Sequence, residues 1–181
     1  MSENAVKNAV RDLITANKAL LVTDLTSQGQ PRTINQVTIS SLTPPTGYFF
    51  IAVAVTSVRH TIRAGFSKTT AVPPSQAVYT VDIEISDYIL LDTTDDQPFE
   101  QATLNFGLFT DRLVALLRKT YWITDSATGS KFRLSEDRTV NKNNVDVTWE
   151  EAAQFHSLLG CRLSFQLLEE CTDDTILYPE P

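Results

Sequence analysis

The stretch VYTVDIEISDY at residues 78–88 decides the fold class, because apolar and polar side chains alternate along most of it. The apolar members are Tyr79, Val81, Ile83 and Ile85, and the polar members are Thr80, Asp82, Glu84 and Ser86. A period of two predicts a β-strand with one buried face and one face in water.

The stretch PFEQATLNFGLFTDRLVALLRK at residues 98–119 predicts a long helix that packs on this strand. Its large apolar residues recur at helical spacing and form one face. Pro98 suits the first helical position, Glu100 suits the positive helix start, and Arg118 and Lys119 suit the negative helix end. We therefore expect this helix to be the main packing partner of the sheet.

The remaining elements are shorter. Val6, Val10 and Ile14 mark the buried stripe of a first amphipathic helix. Further strands are predicted at 19–24, 33–40, 48–55 and 161–167, a hairpin at 121–125 with 131–134, and a short helix after Thr148 up to Leu159. The fold class expected is α+β, with a mostly antiparallel sheet, two long helices packed on one face, and a long loop or hairpin at about 56–77.

Length and composition favour one domain. The chain has 181 residues, of which 42% are hydrophobic, so we expect a single α+β domain at 1–170 and an acidic C-terminal tail at 171–181. We expect no secretory signal and no membrane span, and reduced Cys161 and Cys171, with Cys161 in the core. The net charge of -7 argues against non-specific wrapping of DNA or of an anionic membrane.

Motifs for chemistry are missing from the sequence. The six glycines form no phosphate-binding loop, and the two histidines and two cysteines lack the usual zinc spacings. His60 follows Ser57 and Arg59, but in a predicted polar loop it reads as an exposed histidine. We therefore expect no catalytic residues, no metal site and no cofactor.

Charge is distributed unevenly along the chain, which is +4 over residues 1–68 and -7 over residues 69–110. The candidate basic loop residues are Arg59, His60, Arg63 and Lys68, and the candidate acidic residues are Asp82, Glu84, Asp92, Asp95 and Asp96. If these groups project from different edges, identical copies would attract one another and such contacts could close into a ring. The alternative is that both groups only solubilise the surface.

Aromatic residues help to decide between contacts among copies and a surface that is only solubilising. The strand residues Tyr48, Phe50, Tyr79 and Tyr88 are candidates for an apolar interface, because two helices would not cover all of this surface.

Five stretches, read in order, carry a resemblance to a known family. They are the opening helix ENAVKNAVRDLITANKAL, the strand VYTVDIEISDY, the helix PFEQATLNFGLFTDRLVALLRK, the hairpin YWITDSATGSKFRL and the closing strand GCRLSFQLLEEC. In element order and pattern, over most of its length, the chain resembles the tail terminator (tail completion, neck) proteins of long-tailed bacteriophages.

The resemblance implies a structural virion protein of the tail or neck, assembled in the host cytoplasm. In that family an α+β subunit forms a hexameric ring that caps the tail tube, ends its polymerisation and forms the joint to the head connector. The partners implied are identical copies, tail-tube and head-connector proteins, and passing DNA in the lumen near Arg59, Arg63 and Lys68.

Two other functions stay open. One is another neck or tail subunit, such as a head-closure or tube protein. The other is a small enzyme or ligand-binding domain that uses Asp82 and Glu84 as paired carboxylates.

Overall fold

The computed structural model describes residues 3–27, 30–39, 49–62, 75–88, 97–135, 145–150 and 158–170. The helices and strands within these ranges are α1 Glu3–Ala16, α2 Lys18–Leu21, β1 Thr26–Ser27, β2 Gln30–Pro31, β3 Gln36–Thr38, β4 Phe50–Ile62, β5 Ser75–Tyr88, α3 Gln97–Lys119, β6 Ile123–Thr124, β7 Lys131–Leu134, β8 Val145–Glu150 and β9 Leu158–Glu170.

One mixed sheet dominates the described residues. Its strand order is β3-β4-β5-β9-β7-β6, and β8 also pairs with β9. Only the pairing of β3 with β4 is parallel in this sheet as described, and the others are antiparallel. β5 lies between β4 and β9 and pairs with both over most of its length. The predicted α+β class with a mostly antiparallel sheet is therefore confirmed.

Both α1 and α3 pack on the same face of this sheet. Val10 of α1, Phe109 of α3, Val81 of β5 and Leu163 of β9 all belong to one core cluster, and each is fully buried. The two helices differ in length, with 14 residues in α1 and 23 in α3. Cys161 is in this core as predicted, with 2% of its surface exposed.

The sheet curls around α1. This helix contacts both β4 and β6, which lie far apart in the strand order. The Ser126 hydroxyl in the β6–β7 turn also donates a hydrogen bond to the Asp12 carboxylate of α1 over 2.6 Å. The helices thus fill the concave side of the sheet.

Two short elements differ from the prediction. Residues 19–24 were expected to form a strand, but Lys18–Leu21 is one helical turn and a turn follows it. Alanine and leucine favour helix, and this helical turn buries Leu21 and leaves Leu20 60% exposed. The helix predicted after Thr148 up to Leu159 is wrong at its two ends, because Val145–Glu150 pairs with β9 as strand β8 and β9 begins at Leu158, while residues 151–157 lie outside the described residues.

The described parts of the loop or hairpin predicted at about 56–77 are paired backbone. β4 continues to Ile62 and β5 begins at Ser75, and these two residues face each other in the register. Residues 63–74 lie outside the described residues. The hairpin alternative of the prediction is the correct one for the described arms, which extend two strands of the sheet.

Candidate interaction surface

The face of the sheet turned away from the helices is the main candidate surface, and we call it the outer face. It is defined by Arg59, Thr80, Asp82, Glu84, Arg133, Asp146, Arg162, Ser164 and Gln166. None of these side chains is buried. They alternate with core residues, so the same period of two that builds the core places these polar residues on the opposite face. Phe50 and Ala52, which pair with Ser86 and Glu84, lie on this face too and are buried.

The middle of the outer face carries the acidic residues predicted from the alternation. Asp82 Oδ1 accepts a hydrogen bond from Ser164 Oγ over 2.8 Å. Glu84 Oε1 lies 3.0 Å from Arg162 Nη2, and both side chains are 45% exposed. Such an exposed ion pair is worth about 0–1 kcal/mol. Both carboxylates therefore have cross-strand partners within the sheet.

A β-bulge determines which basic residue reaches the outer face. The register between β4 and β5 shifts between Val55 and Ser57. Val55 pairs with Val81 before the bulge, and Val58 pairs with Tyr79 after it. The extra residue inverts the alternation, so Val58 turns to the core side and Arg59 turns to the outer face.

The basic end of the outer face lies beyond the bulge. Arg59 pairs with Val78, Val78 with Leu168, and Leu168 with Arg133, so two arginines flank an apolar pair. Asp82 is four residues further along β5, or about 13 Å away. The outer face therefore has basic and acidic groups at separate positions along the strands.

His60 does not join this basic end. It pairs with Ala77, whose side chain is in the core, so His60 projects from the opposite side of the sheet to Arg59. Both residues are exposed, but they belong to strand β4 and not to the predicted loop.

Two predicted interface aromatics are buried. Phe50 is 5% exposed and Tyr79 is 2% exposed, so the prediction that they form an exposed patch is wrong. Tyr79 faces the core because of the alternation, its ring meets Phe132 edge-on, and its hydroxyl donates a hydrogen bond to Glu169 Oε2 over 2.7 Å.

Several predicted residues lie outside the described ranges. These are Tyr48, Arg63, Lys68, Asp92, Asp95 and Asp96. Tyr88 is the last residue of β5, where its backbone pairs with Leu158.

Exposed apolar residues that the sequence analysis missed lie on β8 and α3. Val147 is 38% exposed and Trp149 is 53% exposed, and the Trp149 ring meets Phe106 of α3 edge-on at 5.8 Å between centroids. Leu104 and Leu108 of α3 are 61% and 50% exposed. The alternation of Val145, Val147 and Trp149 is the sequence signal that could have revealed β8.

Two further features concern the described residues, a group of metal ligands and a membrane-spanning helix. No group of three or more His, Cys, Asp or Glu residues there is arranged to hold a metal ion. None of the described helices combines the length and apolar character needed to cross a bilayer.

The comparisons with known proteins give matches among solved structures alone. No family model matches the chain, and no curated protein matches it. One solved structure matches 94% of this chain and 98% of its own chain, at 14% identity and a TM-score of 0.38. Its name is a bare identifier that states no function. A likeness at this level carries no conclusion about family or activity.

Proposed function

We propose that this chain is a structural virion protein of a long-tailed bacteriophage. It forms a hexameric ring that caps the tail tube, ends polymerisation of the tube and joins the tail to the head connector. It works through its surfaces, without catalysis and without a cofactor, and it is assembled in the host cytoplasm. The proposal begins from the resemblance in element order, which spans most of the chain.

The single observation that supports it best is the charge pattern of the outer face. Arg59 and Arg133 lie at one end of the described strands, and Asp82 and Asp146 lie about 13 Å along them. A neighbouring copy that is shifted along the strands can place its basic end on this acidic region. A contact between two different patches of identical subunits repeats around a ring.

Arg59 could bind the phosphates of DNA that passes through such a ring, or it could dock on an acidic protein surface. Arg59 and Arg133, even together with Arg63 and Lys68, give only a modest phosphate attraction per subunit. We therefore favour docking of this end on an acidic protein surface over DNA binding.

Tail-tube assembly is the direct test. Purified protein is added to polymerising tube subunits of the same virus, and tube lengths are measured by electron microscopy. A terminator arrests elongation and is found at one tube end, whereas uninterrupted growth contradicts the proposal. Binding along the tube or only to the head connector would indicate a tube or head-closure subunit, the first alternative.

Charge reversal tests the contact itself. Arg59→Glu should weaken capping, and the addition of Asp146→Arg should restore it if these two positions meet between copies. Arg118→Glu is the matched control, because Arg118 is also exposed but lies at the end of α3. Light scattering with and without tubes gives the oligomeric state of each variant.

The enzyme alternative has one observation in its favour, the proximity of Asp82 and Glu84 on one strand face. They are about 7 Å apart along the strand, which is within the range of paired catalytic carboxylates. Glu84 is, however, already paired with Arg162, and Asp82 with Ser164. A hydrolytic activity lost in both Asp82→Asn and Glu84→Gln would favour this alternative.

A further inference from the structure

The side of α3 that is turned away from the sheet carries exposed leucines. Leu104 is 61% exposed and Leu108 is 50% exposed, and a spacing of four residues makes them neighbours on the helix surface. Ala115 follows Leu108 after seven residues and Lys119 follows Ala115 after four, so both lie on the same side of the helix. We call these four residues the α3 stripe.

A groove between α2 and α3 adjoins the second half of the α3 stripe. It has a volume of about 300 Å³, and its lining includes the apolar residues Leu20, Leu21, Ala115 and Leu116 and the basic residues Arg112 and Lys119. Arg112 donates hydrogen bonds to the carbonyl oxygens of Thr23 and Leu21, and these bonds hold α2 beside α3. Leu20 is 60% exposed. The stripe therefore has projecting leucines in its first half and an apolar groove beside its second half.

The two halves of the stripe match each other when the direction of the helix is reversed. Glu100 precedes Leu104 by four residues, and Lys119 follows Ala115 by four. A second, antiparallel copy of α3 that sets Leu104 on Ala115 therefore also sets Glu100 beside Lys119. The same contacts recur at the other end, because such an arrangement is symmetric about a two-fold axis. The Leu108 residues of the two copies then lie about 4.5 Å apart along the helices, next to that axis.

Charge favours the antiparallel arrangement over the parallel one. Glu100 and Lys119 are both exposed, and neither forms an ion pair with another residue in the described part of the chain. They are about 29 Å apart along one helix, so they can meet only between copies. A parallel pair would place Glu100 on Glu100 and Lys119 on Lys119, and such contacts between like charges are unfavourable.

We propose that the α3 stripe and the adjoining groove form the contact through which two copies of this chain make a symmetric dimer. Leu104 of each copy packs in the groove of the other, against Leu20 and Ala115, and Glu100 of each copy pairs with Lys119 of the other. The helices cover the core side of the sheet, so this dimer leaves the outer face free. The inference does not depend on the proposed tail function.

The size of the contact determines how strong the dimer should be. The matched length of α3 is about 29 Å and a helix is about 10 Å wide, so each copy buries less than the roughly 800 Å² of a standard interface, even with α2 included. We therefore expect a reversible dimer with a dissociation constant of about 1–100 μM.

Sedimentation equilibrium of the full chain at about 1–300 μM tests the proposal. The unmodified chain should show a monomer–dimer equilibrium. Leu104→Asp should weaken it at least about 30-fold, because each dimer then lacks two buried leucines and places two carboxylates in apolar grooves. Val147→Asp is the matched control, since Val147 is also apolar and 38% exposed but lies on β8, and it should leave the equilibrium unchanged.

Charge exchange tests the antiparallel direction without any change to the leucines. Glu100→Lys and Lys119→Glu should each weaken the dimer about three- to tenfold, because two attractive pairs per dimer become repulsive. The two substitutions together should restore the affinity of the unmodified chain to within about threefold. In a parallel dimer neither single variant would change the affinity, because like charges meet in every case.

Three results overturn the proposal. The first is a chain that remains monomeric up to about 300 μM, which would leave the groove to a segment of the same chain or to another protein. The second is an oligomer of any size that Leu104→Asp leaves intact, since its contact then lies elsewhere. The third is a loss of affinity in the single charge variants that the double variant fails to restore.

Discussion

Arg32 and Asp87 form a buried ion pair that joins two distant segments of the chain. Arg32 Nη2 lies 2.5 Å from Asp87 Oδ2, and the two side chains are 2% and 0% exposed. Asp87 Oδ1 also accepts a hydrogen bond from the Phe49 backbone N–H over 3.3 Å, and the Arg32 guanidinium lies 5.3 Å from the centroid of the Phe49 ring. Phe49 has a φ of 43°, a left-handed conformation that is uncommon for a non-glycine residue. The ion pair and the hydrogen bond from the Phe49 amide join the start of β4 to the end of β5 and to Arg32.

Removal of one partner from this pair should be costly. Asp87→Leu leaves the Arg32 charge buried without its carboxylate, and we expect a loss of about 3–5 kcal/mol in the free energy of unfolding. Arg32→Met combined with Asp87→Leu should recover much of this loss, because no buried charge is left. Urea denaturation of the two single variants and the double variant measures the coupling. Strictly additive effects would mean that the pair does not interact.

The same carboxylate should give the stability a distinct pH dependence. Burial raises the pKa of Asp87 from 3.8 to about 6, against the opposing effects of the Arg32 charge and the Phe49 amide. Because the folded pKa exceeds the unfolded one, the folded state binds the proton more tightly between these values. The contribution of Asp87 is therefore fully present below about pH 4 and falls as the pH rises through 6, by about 3 kcal/mol at most.

Denaturation midpoints at pH 4, 5, 6 and 7 check this sign. The free energy of unfolding of the unmodified protein should fall between pH 4 and pH 7 by an amount that is missing in Asp87→Asn. Asp12 is an internal contrast, because the Ser126 hydrogen bond lowers its pKa and its contribution is lost as the pH falls. An identical pH profile for Asp87→Asn and the unmodified protein would exclude the assigned role of Asp87.

The inverted alternation in β4 predicts unequal effects on stability at two adjacent residues. Val58 packs against the core, so Val58→Asp should lower the free energy of unfolding by about 1–3 kcal/mol. Arg59→Asp introduces the same side chain on the outer face and should change it by about 0.5 kcal/mol or less. Chemical denaturation of the two variants measures the difference. Similar effects at both positions would argue for the loop in place of the strand.

The accuracy of the sequence analysis followed the strength of the periodic signal. The alternation from Tyr79 to Ile85 and the helical spacing from Phe106 to Leu117 each repeat several times, and both elements are confirmed. The bulge between Val55 and Ser57 shifts the alternation, so the end of β4 shows no period that continues from its start. Its strand character depends on pairing with β5, which is a tertiary effect.

The candidate surface was predictable only in part, because part of it also depends on tertiary packing. Asp82 and Glu84 were placed correctly on the wet face of their strand, since alternation alone determines this. Phe50 and Trp149 were not, because the exposure of an aromatic residue depends on which elements cover it. Phe50 is buried at 5% exposure and Trp149 is open at 53%.

Trp149 should matter more for assembly than for folding. Its described ring contact is with Phe106, and such edge-on pairs are worth about 0.5–1.5 kcal/mol, so Trp149→Ala should cost little more than that in unfolding free energy. If the exposed Trp149 side chain meets a neighbouring copy or the tube, however, the same change should abolish tube capping, because tryptophans are frequent hot spots of interfaces. Trp122→Ala is the matched control, because Trp122 is 39% exposed and packs on Tyr121 at the far end of α3. Electron microscopy of tube lengths together with urea denaturation separates the two effects, and equal capping by both variants would remove β8 from the proposed interface.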